Sequence, residues 1–322
     1  MDAVTLTPDR PTSRPSRLAV AARPLLRLRG VQAIGHWLGL RAPASRAMRA
    51  FAWHVVAAES RAPSGRVTQA RLPNGLRVAV RLGEADGAYL YFLGSSPRPD
   101  RFRYEPQTTA ALEELLRPGD TFVDVGAHIG YYSLVAAGAV GPAGRVLAFE
   151  PQAHLVELVR RSITANGLDG FVSVTPAAVS DRGGEVQLYE SNDAKTSATA
   201  STVTSPFVGA TAHTVPAVRL DDVARDQSVE RVRVLKIDVE GAEERVLAGA
   251  PELLARTDAV IIEYNRCIAA DRADGLWDGL VGRLAAHGLH PRGEGRPTWD
   301  WGNVLFMREP AMDAEGARRG DL

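Results

Sequence analysis

The pattern of apolar and polar positions over residues 101–310 predicts a regular alternation of strands and helices. Short runs rich in β-branched and aromatic residues carry few charges, as expected of strands that are covered by helices on both faces. Segments with helical spacing separate these runs. The predicted strands lie at 121–125, 145–149, 172–174, 234–240 and 261–265, with a last strand pair over 299–306. We therefore predict a doubly wound, mostly parallel α/β sheet.

The pattern of apolar and polar positions is different in the segments before and after this domain, and in one segment within it. Residues 1–62 carry ten Arg against three acids, and we expect an extension that is partly helical or disordered. Residues 63–100 predict a small β appendage, in which Pro73-Asn74-Gly75 forms a hairpin turn. Residues 191–214 are rich in Ser, Thr, Ala and Gly and predict either a mobile lid or a disordered loop. We expect residues 311–322 to form a disordered tail.

Composition limits the class of protein. The chain has 322 residues, 45% of them apolar, and no net charge, so the Arg-rich extension leaves the rest of the chain acidic. An acidic domain does not favour a polyanionic substrate, whereas the extension itself could contact a membrane surface or an acidic partner. Cys267 is the only cysteine, which excludes an internal disulfide and fits a cytoplasmic location. No apolar run reaches the roughly 20 residues that cross a bilayer.

The stretch after the first sheet strand is typical of a ligand-binding turn. Asp124 lies near the end of the strand, Gly126 and Gly130 bracket a tight turn, and a helical segment begins directly afterwards. In an open α/β sheet such a turn lies at the carboxyl end of a strand, where ligands bind. Glu150 ends the next strand, where a carboxylate can hydrogen-bond a ribose diol. A purely structural turn between strand and helix is the alternative.

The charge near the turn indicates which ligand fits. A carboxylate at Asp124 would repel a pyrophosphate, and the turn lacks the Gly-x-Gly-x-x-Gly pattern of nicotinamide dinucleotide sites. S-adenosylmethionine carries a sulfonium and an ammonium but no phosphate, so acids near the turn complement it. We predict S-adenosylmethionine as the cofactor, bound in part by Asp124, Gly126, Gly130 and Glu150. A protein that binds the cofactor without catalysis is one alternative.

Three further motifs narrow the prediction to a family. Residues 178–181 are Ala-Val-Ser-Asp, residues 218–222 are Val-Arg-Leu-Asp-Asp, and residues 236–241 are Lys-Ile-Asp-Val-Glu-Gly. Together with the glycine turn they resemble the FkbM family of class I methyltransferases, whose members usually have Asn where this chain has His128. The resemblance covers roughly residues 100–308. It implies a seven-stranded Rossmann-like sheet, S-adenosylmethionine as methyl donor, and transfer to a hydroxyl of a sugar, glycan or secondary metabolite.

The resemblance also implies further cofactor contacts. His128 lies inside the turn, Ser180 and Asp181 follow the third strand, and Glu105 precedes the first strand, where family members often have an acid. We therefore add Glu105, His128, Ser180 and Asp181 to the predicted cofactor-binding set. For Glu105 a helix cap or an ion pair is the alternative interpretation.

Lys236, Asp238 and Glu240 form the predicted catalytic group. They alternate along the fourth strand, and a regular pleat points all three to one face near the binding crevice. Methyl transfer to an alcohol needs a base that removes the hydroxyl proton, and we assign that role first to Asp238, then to Glu240 or His128. The only other lysine of this Arg-rich chain lies at position 195, which favours a functional amine at Lys236. A buried ion pair between Lys236 and Asp238 is the structural alternative.

Candidate contacts for the methyl acceptor lie on the far strands. Glu263 and Asn265 end the fifth strand, and Asn303 lies in the last strand pair. Asp238, Glu240 and Glu263 could also offer oxygen ligands to magnesium, although no spacing in the sequence is diagnostic of a metal. A nucleic-acid methyltransferase is the alternative function. The chain lacks the Asn-Pro-Pro-aromatic loop expected for base amino groups, so we expect no nucleic-acid partner.

Overall fold

The computed structural model describes residues 67–82, 84, 90, 103–191, 199–205, 208–265, 273–293 and 301–309. The predicted extension over 1–62 and the tail over 311–322 lie outside these ranges, so their contacts with a membrane or a partner stay predictions. No helix within the described ranges is long and apolar enough to cross a membrane.

Strands and helices follow each other through the described residues in nearly the order that the sequence pattern predicts. In chain order the elements are β1 (Val67–Arg71), β2 (Arg77–Arg81), α1 (Pro106–Leu115), β3 (Thr121–Val125), α2 (Tyr131–Val140), β4 (Arg145–Phe149), α3 (Ala153–Asn166), β5 (Val172–Thr175), β6 (Ala178–Val179), β7 (Gly184–Ser191), β8 (Val208–Val218), α4 (Leu220–Asp226), β9 (Val232–Ile237), α5 (Glu243–Ala248), α6 (Pro251–Ala255), β10 (Thr257–Asn265), α7 (Ala273–Ala285), β11 (Leu289–Pro291) and β12 (Trp301–Arg308).

Seven strands form the central sheet in the order β11-β12-β10-β9-β3-β4-β5. β12 is antiparallel to its neighbours β10 and β11, and the remaining pairs are parallel. The direction in which the chain adds strands reverses between β3 and β9, and ligands of open α/β sheets bind outside the carboxyl ends of the strands at such a point. The predicted doubly wound, mostly parallel α/β sheet is confirmed.

Alternate residues of the central strands supply two separate cores. Phe122, Val234 and Ile261 pack with helices α1 to α3 on one face of the sheet. Val123 and Leu235, their neighbours in sequence, pack with helices α4 to α7 on the other face. Burial on both faces explains why these strands are almost continuously apolar in the sequence.

The predicted hairpin is present and closes over the same core as α2 and α3. β1 and β2 pair in antiparallel register around the predicted turn. In that turn, Asn74 Nδ2 donates a hydrogen bond to Leu134 O in α2 at 3.0 Å. Ala79 N in β2 donates to Ser162 Oγ in α3 at 2.8 Å. The hairpin is therefore attached to the outer side of the first helical layer.

A second sheet shortens the irregular connection that the sequence predicts over 191–214. β7 and β8 pair in antiparallel fashion, and β6 pairs in parallel with β8. Since β8 begins at Val208, residues 208–214 belong to a strand. An isolated bridge also joins Tyr189 to Ser201 inside the connection. Polar and apolar side chains alternate over residues 185–188, and this period of two is a signal for β7.

Candidate active site

A cavity opens at the carboxyl ends of β3, β4 and β9, where the strand order reverses. The glycine turn after β3, the start of α2, the turn after β9 and the loop 199–205 contribute its walls. The predicted site residues that line it are Glu105, Gly126, His128, Glu150, Lys236, Asp238, Glu240 and Glu263. The predicted residues that do not contribute to its lining are Asp124, Gly130, Ser180, Asp181, Asn265 and Asn303.

The two glycines of the turn are required by the packing of the chain on itself. Gly126 has φ +80°, and a Cβ at this position would lie 1.9 Å from Asp238 O. Gly130 has φ +82°, and a Cβ would lie 3.2 Å from the Val159 side chain in α3. Only glycine adopts these angles readily and leaves this space. Gly126 thus lets the turn after β3 contact the backbone that follows β9.

Glu150 connects the glycine turn to the end of β4. Its Oε2 accepts a hydrogen bond from His128 N at 2.9 Å, and its Oε1 accepts one from Gln152 N at 2.9 Å. His128 itself has φ 53°, in the left-handed region. Burial raises the pKa of Glu150 to about 7, although the two backbone hydrogen bonds act in the opposite direction. The carboxyl group therefore shapes the turn and also faces the cavity.

Lys236 is a buried cation among three acids. The Lys236 side chain is 1% exposed, and its Nζ lies 2.7 Å from Oδ2 of Asp238, whose side chain is 26% exposed. Nζ also lies 4.6 Å from the centre of the Tyr132 ring. Burial acts to lower the pKa of Lys236, but the charges of Asp238, Asp124 and Glu105 outweigh it and raise the pKa. The ion pair with Asp238, the structural alternative for Lys236, is thus present at the cavity.

Asp124 is buried beneath the cavity and does not line it, so its predicted contact with the cofactor stays a prediction. It is fully buried, and its Oδ2 accepts a hydrogen bond from Ser133 Oγ in α2 at 2.6 Å. Side chains alternate along a strand, so Asp124 shares the face of Phe122, which packs under α1 to α3. Burial raises the pKa of Asp124, while Lys236, its register partner on β9, lowers it. Asp124 therefore acts on the site through Lys236.

Glu105, Tyr132 and Asn303 extend this polar layer. Tyr132 Oη and Asn303 Nδ2 both donate hydrogen bonds to Glu105 Oε2, the second at 2.9 Å. Burial, followed by the charge of Asp238, raises the pKa of Glu105. Glu105 occupies the N-cap position of α1, but its side chain makes no capping hydrogen bond. Sequence analysis missed Tyr132, which lies directly after the glycine turn and over Lys236.

The backbone leaves the strand geometry earlier than the sequence predicts. β9 ends at Ile237, so Asp238 and Glu240 lie in a turn rather than on a continued pleat. The physical reason is that Glu240 has φ 53° and Gly241 has φ 103°, which no extended strand contains. Glu243, which sequence analysis missed, accepts hydrogen bonds from Gly241 N at 3.0 Å and Val239 N at 3.4 Å. Burial raises the pKa of Glu243 to about 7.

The turn brings three carboxyl groups together at the cavity. One ligand atom from each of Asp238, Glu240 and Glu263 lies within 4.8 Å of the other two. Glu263 is 5% exposed and pairs in register with Asn303 across β10 and β12. This group combines oxygen acceptors with the adjacent ammonium of Lys236, an arrangement that can orient a hydroxyl group and accept its proton.

Ser180, Asp181 and Asn265 lie at strand ends but away from the cavity lining. Ser180 Oγ donates to Asp181 Oδ1 at 2.9 Å, and a Cβ on Gly249 would lie 2.1 Å from Ser180 O. The segment 180–181 is thus packed against the end of α5. Asn265 ends β10, where it pairs in register with Trp301.

Fold and site together define the class of protein. An open, mostly parallel sheet carries a cavity at its point of strand reversal, and the cavity is lined by acids and by a glycine turn without the phosphate-binding pattern. This is a Rossmann-like α/β domain with a ligand site at its strand reversal. Comparison with known proteins specifies the family further.

A family model described as "Methyltransferase FkbM domain" matches residues 124–275. The chain is 30% identical over 247 residues to the 31-O-demethyl-FK506 methyltransferase FkbM of Streptomyces tacrolimicus, covering 68% of this chain and 87% of that protein. The methyltransferase sdnD of Sordaria araneosa is 31% identical over 164 residues, covering 42% of this chain and 62% of its own length. The 2-O-methyltransferase NoeI of Sinorhizobium fredii is 28% identical over 138 residues, covering 38% of this chain and 55% of that protein. The chain belongs to the FkbM family of methyltransferases.

Methyl transfer in this family implies S-adenosylmethionine as the donor, and the cavity fits it. The ligand is cationic at its sulfur and its amino group. The cavity is lined by acids from β4, β10, the turn after β9 and the start of α1, with one lysine that is already paired to Asp238. Such walls complement a cationic ligand and oppose a pyrophosphate.

Proposed function

We propose that this chain transfers a methyl group from S-adenosylmethionine to a hydroxyl of a sugar, a glycan or a secondary metabolite. The observation that carries the proposal is the ion pair of Lys236 and Asp238 at the cavity. Asp238 is the more exposed partner and lies beside Glu240 and Glu263, where a hydroxyl group can reach it. Two relatives whose names describe O-methylation, the FkbM and NoeI enzymes, support oxygen as the accepting atom.

The cofactor would be held mainly by the turn after β3 and by the end of β4. Glu150 faces the cavity from the strand end, where its carboxyl group can accept hydrogen bonds from a ribose diol. Gly126, Ala127 and His128 supply backbone at the wall of the cavity. Glu105 would complement the positive charge of the donor. When it is bound, S-adenosylmethionine supplies a methyl carbon that its positive sulfur has already activated for displacement.

The residues of the chain then align the acceptor and remove its proton. An alkyl hydroxyl loses its proton reluctantly, so a base that acts as the new bond forms lowers the barrier. Asp238 Oδ is the proposed proton acceptor, and the ammonium of Lys236 fixes its orientation through the 2.7 Å contact. Glu240 and Glu263 accept hydrogen bonds from neighbouring hydroxyls of the acceptor. A polyhydroxylated acceptor matches this group of oxygen acceptors.

Calorimetry with S-adenosylmethionine, S-adenosylhomocysteine and NAD tests the choice of donor. We expect the two sulfur compounds to bind and NAD not to bind, because acids line the wall that a pyrophosphate would contact. Binding of NAD alone would contradict the proposal. Incubation of the full chain with isotope-labelled donor and fractionated small-molecule and glycan extracts then identifies the acceptor. Label that enters only nucleic acid would instead support the alternative function.

A further inference from the structure

One buried hydroxyl connects the loop 199–205 to the turn that carries Asp238 and Glu240. Ser201 is 1% exposed, and its Oγ donates to Glu240 O at 2.8 Å, with Val239 O at 3.4 Å. The same Oγ accepts a hydrogen bond from Val203 N at 3.1 Å. The Ser201 hydroxyl therefore both donates and accepts a hydrogen bond within the protein.

The backbone of Ser201 is fixed from the opposite direction by β7. Ser201 N donates to Tyr189 O at 3.1 Å, and Tyr189 N donates to Ser201 O at 2.8 Å. Ser201 thus joins the second sheet to the turn after β9. Ala200, Ser201 and Thr202 also line the cavity, so the same short segment forms a wall of the site.

Residues outside the turn after β9 hold its backbone in shape. Glu240 has φ 53°, an angle that residues other than glycine rarely adopt and that surrounding contacts must maintain. The Glu243 carboxyl group accepts the N–H groups of Val239 and Gly241, while Ser201 donates to the carbonyl of Glu240. The side chain of Glu243 in α5 therefore holds N–H groups of this turn, and the side chain of Ser201 in the loop 199–205 holds one of its carbonyl groups.

We propose that Ser201 is a positioning residue that holds the turn 238–241 in its reactive shape and fixes the loop 199–205 as the acceptor-side wall. It makes this loop a fixed part of the site rather than a lid. The role in the reaction rests on the proposed function, since Ser201 acts through Asp238 and Glu240. The attachment itself can be tested without any methyl acceptor.

Hydrogen–deuterium exchange of the full chain, with and without S-adenosylhomocysteine, tests the attachment. In Ser201→Ala the carbonyl of Glu240 and the amide of Val203 lose their partner, so we expect amides of residues 239–241 to exchange about tenfold faster or more. Ser201→Thr keeps the hydroxyl and should restore slow exchange. Thr204→Ala removes a hydroxyl from an exposed position of the same loop and should leave exchange at 239–241 unchanged.

Binding and turnover separate a positioning role from a purely structural one. We expect Ser201→Ala to bind S-adenosylhomocysteine within about threefold of the wild type, but to transfer methyl groups at least about tenfold more slowly to the acceptor found with labelled donor. Unchanged exchange at 239–241, or equal loss of binding and turnover, would overturn the proposal. If Ser201→Ala does not fold, Ser201→Cys, which keeps the size but donates weakly, is measured in its place. Faster exchange in the variant, with no methyl transfer by the wild type, would uphold the attachment and reject the proposed function.

Discussion

Two turns meet at the candidate site, and they reach their shapes by different means. The turn after β3 has left-handed positions at Gly126, His128 and Gly130, of which the two glycines adopt such angles with little strain and His128 is held through its N–H by Glu150. The turn after β9 places Glu240 at φ 53° and relies on Glu243 and Ser201 for support. The first turn thus rests on its two glycines and on Glu150 at the neighbouring strand end, whereas the second rests on the side chains of Glu243 and of Ser201 in the loop 199–205. A single side-chain change should therefore disturb the second turn without unfolding the first.

The largest expected effect on stability comes from replacing Lys236, the buried cation beneath both turns. Lys236→Met leaves Asp124, Asp238 and Glu105 without their common counterion, and we expect a loss of about 3–5 kcal/mol in the free energy of unfolding. Urea denaturation measures this loss in the free energy of unfolding. The double variant with Asp124→Asn removes one of the buried acids as well and should recover part of the loss. Additive losses in the double variant would mean that the Asp124–Lys236 pair is not coupled.

Gly126→Ala tests the contact between the two turns. A Cβ at 1.9 Å from Asp238 O must displace the backbone after β9, and φ +80° adds strain, so we expect a loss of about 3 kcal/mol. Denaturant unfolding measures this loss. Gly170→Ala is the control, because no atom lies within 4 Å of its added Cβ. If the two variants were equally stable, the turn after β3 would not be in tight contact with the backbone after β9.

Glu243→Gln tests the support of the second turn through its pH dependence. The pKa of Glu243 and of Glu150 is raised from 4.5 to about 7 in the folded protein. A carboxyl group with a higher pKa in the folded state binds more protons there, so the free energy of unfolding falls as pH rises from about 4.5 to about 7. Each group contributes at most about 3 kcal/mol to this fall.

The Gln variant should show a smaller fall over the same range, because Glu243 no longer contributes to it. Urea unfolding at about pH 5 and about pH 8 measures the difference for wild type and variant. Glu157→Gln, on the exposed side of α3, is the control and should leave the fall unchanged. An identical fall in all three proteins would mean that the Glu243 carboxyl group does not carry this pH dependence.

The smallest expected effect is that of removing divalent metal. Asp238, Glu240 and Glu263 could hold a cation, but Lys236 Nζ already lies 2.7 Å from Asp238 and would repel one. We expect methyl transfer to be unchanged after treatment with a chelator. Loss of transfer that magnesium restores would show that the second turn is a metal site instead.

Local sequence was sufficient for the sheet and for the place of the glycine turn after β3. Apolar runs mark the strands because both faces are buried, and Glu150 follows from its place at a strand end. The pattern did not tell which face of β3 Asp124 occupies, since the helices that cover each face are set by the whole fold. Ser201 contacts Glu240 across 39 positions of sequence, and no local rule predicts such a pair.

The central claim is that Asp238 takes a proton from the acceptor. The most direct measurement compares Asp238→Asn with wild type in two assays, affinity for S-adenosylhomocysteine and rate of methyl transfer to the acceptor identified with labelled donor. Asp169→Asn, an exposed carboxyl far along the chain from the site, is the matched control. The account predicts affinity within about threefold and transfer at least about a hundredfold slower. Transfer that persists within a few-fold of wild type would contradict it.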